Sequence, residues 1–532
     1  MTMSEKNSGV LIIGIDGGTW KILNPLIKDG KMPNLEAFIR EGASGSLKST
    51  VPPVTAPAWT TFQTGVNPGK HGIYDFQNFN PKTHKSEIVN SSQLALPTVW
   101  DLINSAGGRV STVNVPMTYP PSKRENRVTV GGMLSPKGGD YIYPRTLAGK
   151  LKKDLGYRIN GGPLERRTSM DLEDFIQEEL EVERSRCQSA KHIMDNFASD
   201  VFMLHLPSTD GIQHCYYPFL DPNSEEFSQN RYETISNLYR GIDEEIGELL
   251  ALNEDKTTFL ISDHGFRQVK KYINLNAWLR REEYLKVSGP NLVGRAVELA
   301  RRLDVLGIGK KLIGLFLDDF LSLRNFASDV NTSSIDWNST DAYMANGTVF
   351  GSVCYRNGVP EAVIEELKEK IADLTDPETG ESVISSLLPR EETFTGDRTD
   401  QLPNLFVQPD ENYTFGVPMV MERGVFRKAK FPEDYLGTHD MDGILAVKGP
   451  CVKKDYQMDQ ASSLQDIAPT ILALMGIEVP GYMDGKVLET LFTRKLNYEV
   501  NDRPISRHNS REQGKNEDKA EVKDRLKDLG YL

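Results

Sequence analysis

Thr55 is the group in this 532-residue chain whose surroundings best suit a nucleophile. It stands in VPPVTAP, with Pro53 and Pro57 on either side. Proline fixes its own φ and restricts the residue before it, so the segment predicts a stiff turn that presents the hydroxyl, with Ala56 held out of the α region. A bare hydroxyl is a poor nucleophile and needs a base or a metal ion to lower its pKa. The rest of the chain offers groups for that purpose. The apolar run VLIIGI ends in Asp16, VFMLHLP leads to Asp210 and His214, and TTFLIS ends in Asp263 and His264. GTHDMDG supplies His439 ahead of a further apolar run, GILAVKG. Together these oxygens and imidazoles are ligands enough for two divalent metals.

The elements that must position them can be read from the same runs. Val10 to Ile15 is continuously apolar, as expected of a strand buried on both faces of a parallel sheet. Gly17 and Gly18 let the chain turn sharply beside Asp16, although that residue taken alone also reads as a helix N-cap. Asp210 and His214 are four apart, so a helical turn after the strand puts both on one side. His205, inside that strand, reads as a satisfied core histidine, and His71 in GKHGI as a structural hydrogen-bonder. Asp263 and His264 are adjacent and would point to opposite faces of a strand, so both reach one ion only where the strand has ended, a turn that Gly265 permits. In doubly wound α/β proteins ligands collect beyond the carboxyl ends of the strands.

Elsewhere, PTVWDLINS followed by AGGRVSTVNVP reads as helix, glycine break and strand. Leu172 to Phe197 predicts a long surface helix whose charges form a solvated face. Leu292, Ala296, Leu299, Ala300 and Leu303 keep helical spacing, and KKLIGLFLDDFLSL repeats it, which predicts a helical cap over the site. Thr348 to Tyr355 reads as extended, Pro360 to Leu374 as a helix with Pro360 at its start, and LFVQ as a short strand. Asp466 is expected to cap the helix IAPTILALM, with Gly476 ending it. The tail turns polar and charged, then Val522, Leu526 and Leu529 suggest a short helix that docks on the body. The expected division is 1–286 as the first part of an α/β core, 287–346 as the cap, 347–494 as the second part of the core, and 495–532 as linker and terminal helix.

Composition narrows the function classes. The candidate ligands run from residue 16 to residue 439, so one site needs most of the chain, and 38% hydrophobic residues suit a soluble globular enzyme. A net charge of −13 argues against general binding of nucleic-acid polymers or anionic membranes. Cys187, Cys215, Cys354 and Cys451 show no CxxC spacing, so neither a zinc knuckle nor a redox pair is indicated. No apolar run reaches the roughly 18 residues of a transmembrane helix, and MTMSEKNSG does not read as a secretory signal. A cytoplasmic protein is the expectation.

The ordered motifs IIGIDGGTW, TAPAWTTFQTGVNPGKHGIYDF, STDGIQH, ISDHGF, GTHDMDGILAVKGP and DIAPTILALMGIEVPGYMDGKVL span nearly the whole chain. In this order they resemble the alkaline phosphatase superfamily, and within it the type I phosphodiesterase/nucleotide pyrophosphatase branch and its bacterial and archaeal phosphohydrolase/phosphomutase group. The resemblance implies a doubly wound, mostly parallel sheet with helices on both faces. It implies one metal held by Asp210, His214 and His439, and a second held by Asp16, Asp263 and His264 with the Thr55 oxygen. Zinc suits mixed carboxylate and imidazole ligation, with manganese or iron as alternatives. The implied reaction is hydrolysis of a small-molecule phosphate ester, foremost a phosphodiester, through a phosphothreonine intermediate.

The chain also departs from its relatives. Nucleotide pyrophosphatases carry an asparagine three residues after the nucleophile, where this sequence has Ala58, so backbone amides near Ala56 or another side chain must replace that donor. Sulfatases build formylglycine from Cys or Ser in a C/S-x-P-x-R motif, which Thr55, Pro57 and Trp59 do not match. No arginine lies between Arg40 and Arg109, whereas monoesterases of the superfamily normally place one near the nucleophile. Phosphomonoesterase, phosphomutase and a non-catalytic metal-holding protein are the alternatives to a phosphodiesterase.

Overall fold

The computed structural model describes residues 9–80, 83–94, 96–136, 138–159, 170–288, 334–347, 349–416, 420, 424–432, 434–502, 519, 521–523 and 525–526. The expected cap helices around Leu292 to Leu303 and KKLIGLFLDDFLSL lie outside the described residues, as does Leu529.

A ten-stranded sheet organises the molecule. Its strands run in the order Tyr456–Gln457, Ala43–Lys48, Asp442–Lys448, Thr257–Ile261, Val10–Ile15, Val201–Leu206, Val110–Val115, Arg127–Gly131 and Ile142–Tyr143, with Ser462–Ser463 also pairing Ala43–Lys48. Val10–Ile15 lies between two parallel partners, in register Ile13 to Leu204 on one side and Ile13 to Leu260 on the other. Asp442–Lys448 runs antiparallel to both of its neighbours. Alternation along the strands feeds two cores. Leu11, Ile13 and Ile15 pack with the helices Leu172–Asn196 and Gln229–Ala251 on one face. Val10 and Ile12 pack with Trp59, Phe62 and Trp100 on the other. Helices therefore cover both faces, which explains why these strands are apolar throughout and do not alternate. Among the described residues no helix is long and apolar enough to cross a membrane.

Residues 342–494 do not all return to this sheet, and the end of the segment expected as a helical cap, Ala342–Asn346, is a strand. Ala342–Asn346, Gly351–Tyr355, Leu405–Pro409 and Ile384–Pro389 form a separate antiparallel sheet, with Leu367 and Ile371 of the helix Glu361–Ala372 in a core of its own. Two of its pairings join neighbours in the chain, but Gly351–Tyr355 meets Leu405–Pro409 across the helix Glu361–Ala372 and the strand Ile384–Pro389. The large sheet takes the chain back only at Asp442–Lys448.

Three local expectations are corrected. Thr55 opens the helix Thr55–Thr64, so Ala56 is helical and Pro57 sits in the first turn, where a missing amide leaves no bond unmade. Asp466 makes no side-chain bond to the helix Ile467–Leu474. Its carboxylate accepts from the amides of Ser463 and Lys486 instead. Leu172–Asn196 is not charged only on a solvated face, because Glu179, Glu183 and Arg186 on it are buried. The tail does dock: Val522 and Leu526 pack with Val54, Ala56, Met133 and Leu134, and Arg525 donates to the carbonyls of Met133 and Ser135.

Candidate metal centre and nucleophile

Strand ends bring the titratable groups together. Val10–Ile15 delivers Asp16, and Gly17 follows it at φ +65°, the left-handed region that glycine enters without strain. Val201–Leu206 passes into the helix Ser208–Leu220, which carries Asp210 and His214 on one side as the spacing predicts. Asp263 and His264 lie just past Thr257–Ile261. Gly265 does not serve as a left-handed turn. It begins the strand Gly265–Gln268, and a Cβ there would stand 2.0 Å from the Asp442 carbonyl. That strand pairs antiparallel with Gly437–Asp440, which sets Phe266 opposite His439.

The seven side chains converge in the interior. Asp16, Thr55, Asp263 and His264 are completely buried, and Asp210, His214 and His439 nearly so. They form two groups whose ligand atoms gather closely, Asp210 with His214 and His439, and Asp16 with Asp263 and His264. His439 Nε2 lies 3.1 Å from Asp210 Oδ1, and His264 Nε2 lies 3.2 Å from Asp263 Oδ2 and 3.4 Å from Asp16 Oδ1. The Thr55 hydroxyl is 3.4 Å from His264 Nε2. The rings of His264 and His439 stack at 3.6 Å, so the two groups adjoin.

The residues fit divalent metals on their own hydrogen bonds. His214, His264 and His439 each give Nδ1–H to a backbone carbonyl, those of Gly437, Gly265 and Pro53. In the neutral, metal-binding form of each ring that leaves the lone pair on Nε2, and all three Nε2 atoms face the cluster. Asp16 Oδ1 and Asp263 Oδ2 are buried and carry no hydrogen bond. Lone pairs and carboxylate oxygens this close repel one another unless protons or a metal cation lie among them. His71 contrasts with this set. Its Nδ1 accepts from the Ile73 amide and its Nε2 faces Thr61 Oγ1 at 3.0 Å, the arrangement of a structural hydrogen-bonder.

Electrostatics tell the same story. Burial, followed by the nearby Asp16 and Asp210, pushes the Asp263 carboxyl far above the usual carboxylate range. Burial also raises Asp16, against the hydrogen bond from His205. For Asp210 burial acts upward too, yet His214 and His439 together outweigh it and hold the carboxyl well below its ordinary value. Burial, then His439, keeps His264 neutral far below the usual imidazole value, the form that binds a metal. Burial pushes the Asp75 carboxyl, in HGIYDF, up to about 7 against hydrogen bonds from the backbone of Phe76 and Gln77.

The supporting groups were not legible as such. His205 is satisfied, as expected, but one of its partners is Asp16 Oδ2 at 2.8 Å. Thr209 donates to the Asp16 carbonyl and Gln213 to that of Gly17, so the helix of Asp210 also grips the Asp16 turn. Glu183 accepts the Ser208 amide at 2.8 Å and Glu179 accepts the Ser208 hydroxyl at 2.9 Å, with Arg186 paired to Glu183. Tyr435 stacks on His214 at 4.4 Å. Helical spacing within Leu172–Asn196 places Glu179, Glu183 and Arg186 on one side, a signal that was available in the sequence.

The comparisons follow this geometry. The family model described as type I phosphodiesterase / nucleotide pyrophosphatase matches residues 10–422, a span that holds every residue of the two groups and Thr55 except His439. No protein of curated function matches by sequence. Among solved structures, phosphonoacetate hydrolase from Sinorhizobium meliloti 1021 in complex with phosphonoformate is similar at TM-score 0.56 and 15% identity, covering 88% of this chain and 96% of that one. Human ectonucleotide pyrophosphatase/phosphodiesterase 5 is similar at TM-score 0.52 and 14% identity, covering 91% and 100%. An inactive murine form of the latter in complex with AMP gives TM-score 0.50 and 14% identity, covering 88% and 95%. At these identities the likeness is one of fold, an alkaline-phosphatase-like α/β architecture. The family match extends over most of the sequence, and the chain belongs to the type I phosphodiesterase/nucleotide pyrophosphatase family, whose members are metal-dependent hydrolases of phosphoric ester bonds.

Proposed function

We propose that the chain is a phosphodiesterase that acts through Thr55 and a pair of divalent metals. The observation that carries this reading is the Thr55 hydroxyl at 3.4 Å from His264 Nε2, beside two buried groups of three ligands each. Asp210, His214 and His439 would hold one ion, and Asp16, Asp263 and His264 the other with the Thr55 oxygen. Zinc suits these donors, with manganese or iron as alternatives. When bound, the pair would lower the pKa of the Thr55 hydroxyl and stabilise charge on the attacking and leaving oxygens.

In the first step Thr55 Oγ1 gives up its proton to solvent and forms a bond to phosphorus as the bond to the leaving alkoxide breaks, and the alkoxide takes up a proton from solvent as an alcohol. A water then forms a bond to phosphorus, the Thr55 oxygen leaves, and the hydroxyl is regenerated. Ala58 is fully buried in the core and offers no donor to a phosphate oxygen. The Ala56 amide, in the first turn of Thr55–Thr64, is free of the helical ladder and takes that role, helped by the positive end of the helix.

A diester is favoured over a monoester by charge. The groups that act most strongly on Asp16, Asp210 and Asp263 are histidines and one another, with neither lysine nor arginine among them. A diester phosphate carries one negative charge and needs less compensation than the two of a monoester. The test is hydrolysis of a chromogenic phosphodiester and its matching monoester by zinc- or manganese-loaded protein. Diester turnover that disappears in Thr55→Ala supports the reading. Faster monoester turnover moves the assignment to a phosphomonoesterase.

A further inference from the structure

We propose that His205 is a positioning residue for the ion at Asp16, Asp263 and His264, holding Asp16 so that only Oδ1 is free to bind. The inference rests on the two-metal reading given above.

His205 is completely buried in the strand Val201–Leu206, paired in register with Gly14, two residues before Asp16. Its Nε2 lies 2.8 Å from Asp16 Oδ2, a hydrogen-bond distance. Asp16 Oδ1 has no hydrogen bond and lies on the side of His264. A carboxyl group with one oxygen engaged in a hydrogen bond to the protein presents the other in a fixed direction. Outer partners of this kind orient metal ligands and tune their basicity.

The far side of the ring is held with equal care. His205 Nδ1 donates to the Asn114 carbonyl at 3.1 Å, while the Asn114 amide donates to the His205 carbonyl at 3.2 Å and its Oδ1 accepts from Tyr157. Asn114 adopts φ +63° within the strand Val110–Val115, where the register to the next strand shifts between Val113 and Val115. A non-glycine residue seldom enters this region, and a bulge of this kind re-aims backbone groups beside active sites. Here it turns a carbonyl onto the histidine. Trp59 closes the remaining side, its ring edge-on to the imidazole at 5.0 Å, against Gly14, where a Cβ would meet that indole at 2.6 Å. The strained Asn114, the missing side chain at Gly14 and the tryptophan together leave the imidazole one orientation, with Nε2 towards Asp16.

The test compares His205→Phe, His205→Gln and His205→Asn with wild type in zinc-buffered solution, reading bound zinc by elemental analysis and the absorption of the cobalt-substituted protein. Glutamine can place a hydrogen-bonding amide group near the Nε2 position, whereas asparagine reaches only as far as Nδ1. The expected result is a loss of affinity for one of the two ions of about 10- to 100-fold in His205→Phe and His205→Asn, with recovery to within a few-fold of wild type in His205→Gln. At saturating zinc kcat should recover and KM should stay put. If His205→Phe does not fold, the glutamine–asparagine comparison decides. Two tightly held ions in His205→Phe, or equal behaviour of the glutamine and asparagine variants, would overturn the inference. A wild type that binds no zinc, manganese or iron overturns the two-metal reading itself, a separate and visible failure.

Discussion

The Nε2 atoms of His214 and His439 lie 3.1 Å apart, and each ring gives its Nδ1–H to a backbone carbonyl. With both rings neutral, two lone pairs would face each other beside Asp210, a contact that a proton or a shared metal ion makes favourable. His439→Ala should remove that ion and Asp263→Asn the other, leaving about one ion per chain in each variant against about two in wild type. Elemental analysis after dialysis measures this. Stripping both ions with a chelator should lower Tm, because ligand binding stabilises only the folded state.

Thr55→Ala removes one oxygen from a helix start that is otherwise closed by Ala56 and Pro57. Folding and metal content should survive, while kcat falls roughly a thousandfold or more, about 4 kcal/mol or above in barrier. Thr55→Ser keeps the hydroxyl and should retain measurable turnover. Full activity in the alanine variant would rule out Thr55 as nucleophile.

Glu183 ties the long helix Leu172–Asn196 to the start of the helix that carries Asp210 and His214. It shares its charge with Arg186, and both are almost wholly buried. Glu183→Ala leaves a buried guanidinium without its partner, which costs about 3–5 kcal/mol. Denaturant unfolding should show that loss, with weaker metal binding at Asp210 and His214 as a secondary effect.

His71 gives the protein a pH dependence of known sign. Burial, and then Arg398, depress its imidazole from 6.5 to about 3. Above pH 6.5 both folded and unfolded forms are neutral. As pH falls from 6.5 towards 3 the unfolded chain takes up a proton that the folded one refuses, so stability drops, by on the order of 2 kcal/mol at pH 5. His71→Asn keeps an acceptor for the Ile73 amide and does not titrate. Its unfolding free energy should change less between pH 7 and pH 5 than that of wild type.

Much of the site was legible in the sequence because its signals are local. Apolar runs that end in Asp16, Asp210 and Asp263 mark buried strands and their carboxyl ends, and a four-residue spacing puts His214 beside Asp210 whatever the rest of the chain does. The threonine between prolines was likewise visible, although its helical setting was not. Pro57 favours an extended Ala56 in isolation, and the first turn of a buried helix overrode that preference.

What only tertiary structure decided is who stands behind the ligands. Nothing near His205 in sequence points to Asp16; the two meet because Val10–Ile15 and Val201–Leu206 lie side by side in parallel with Gly14 opposite His205. The carbonyl of Asn114 reaches the same ring through a bulge in a third strand. His439 reaches the site through the pairing of its strand with Gly265–Gln268, and the separate antiparallel sheet is closed by Gly351–Tyr355 pairing with the distant Leu405–Pro409. Register and pairing are choices among distant segments, fixed by the packing of two cores against one sheet, and a linear pattern of residue types carries no record of which strand will become the neighbour.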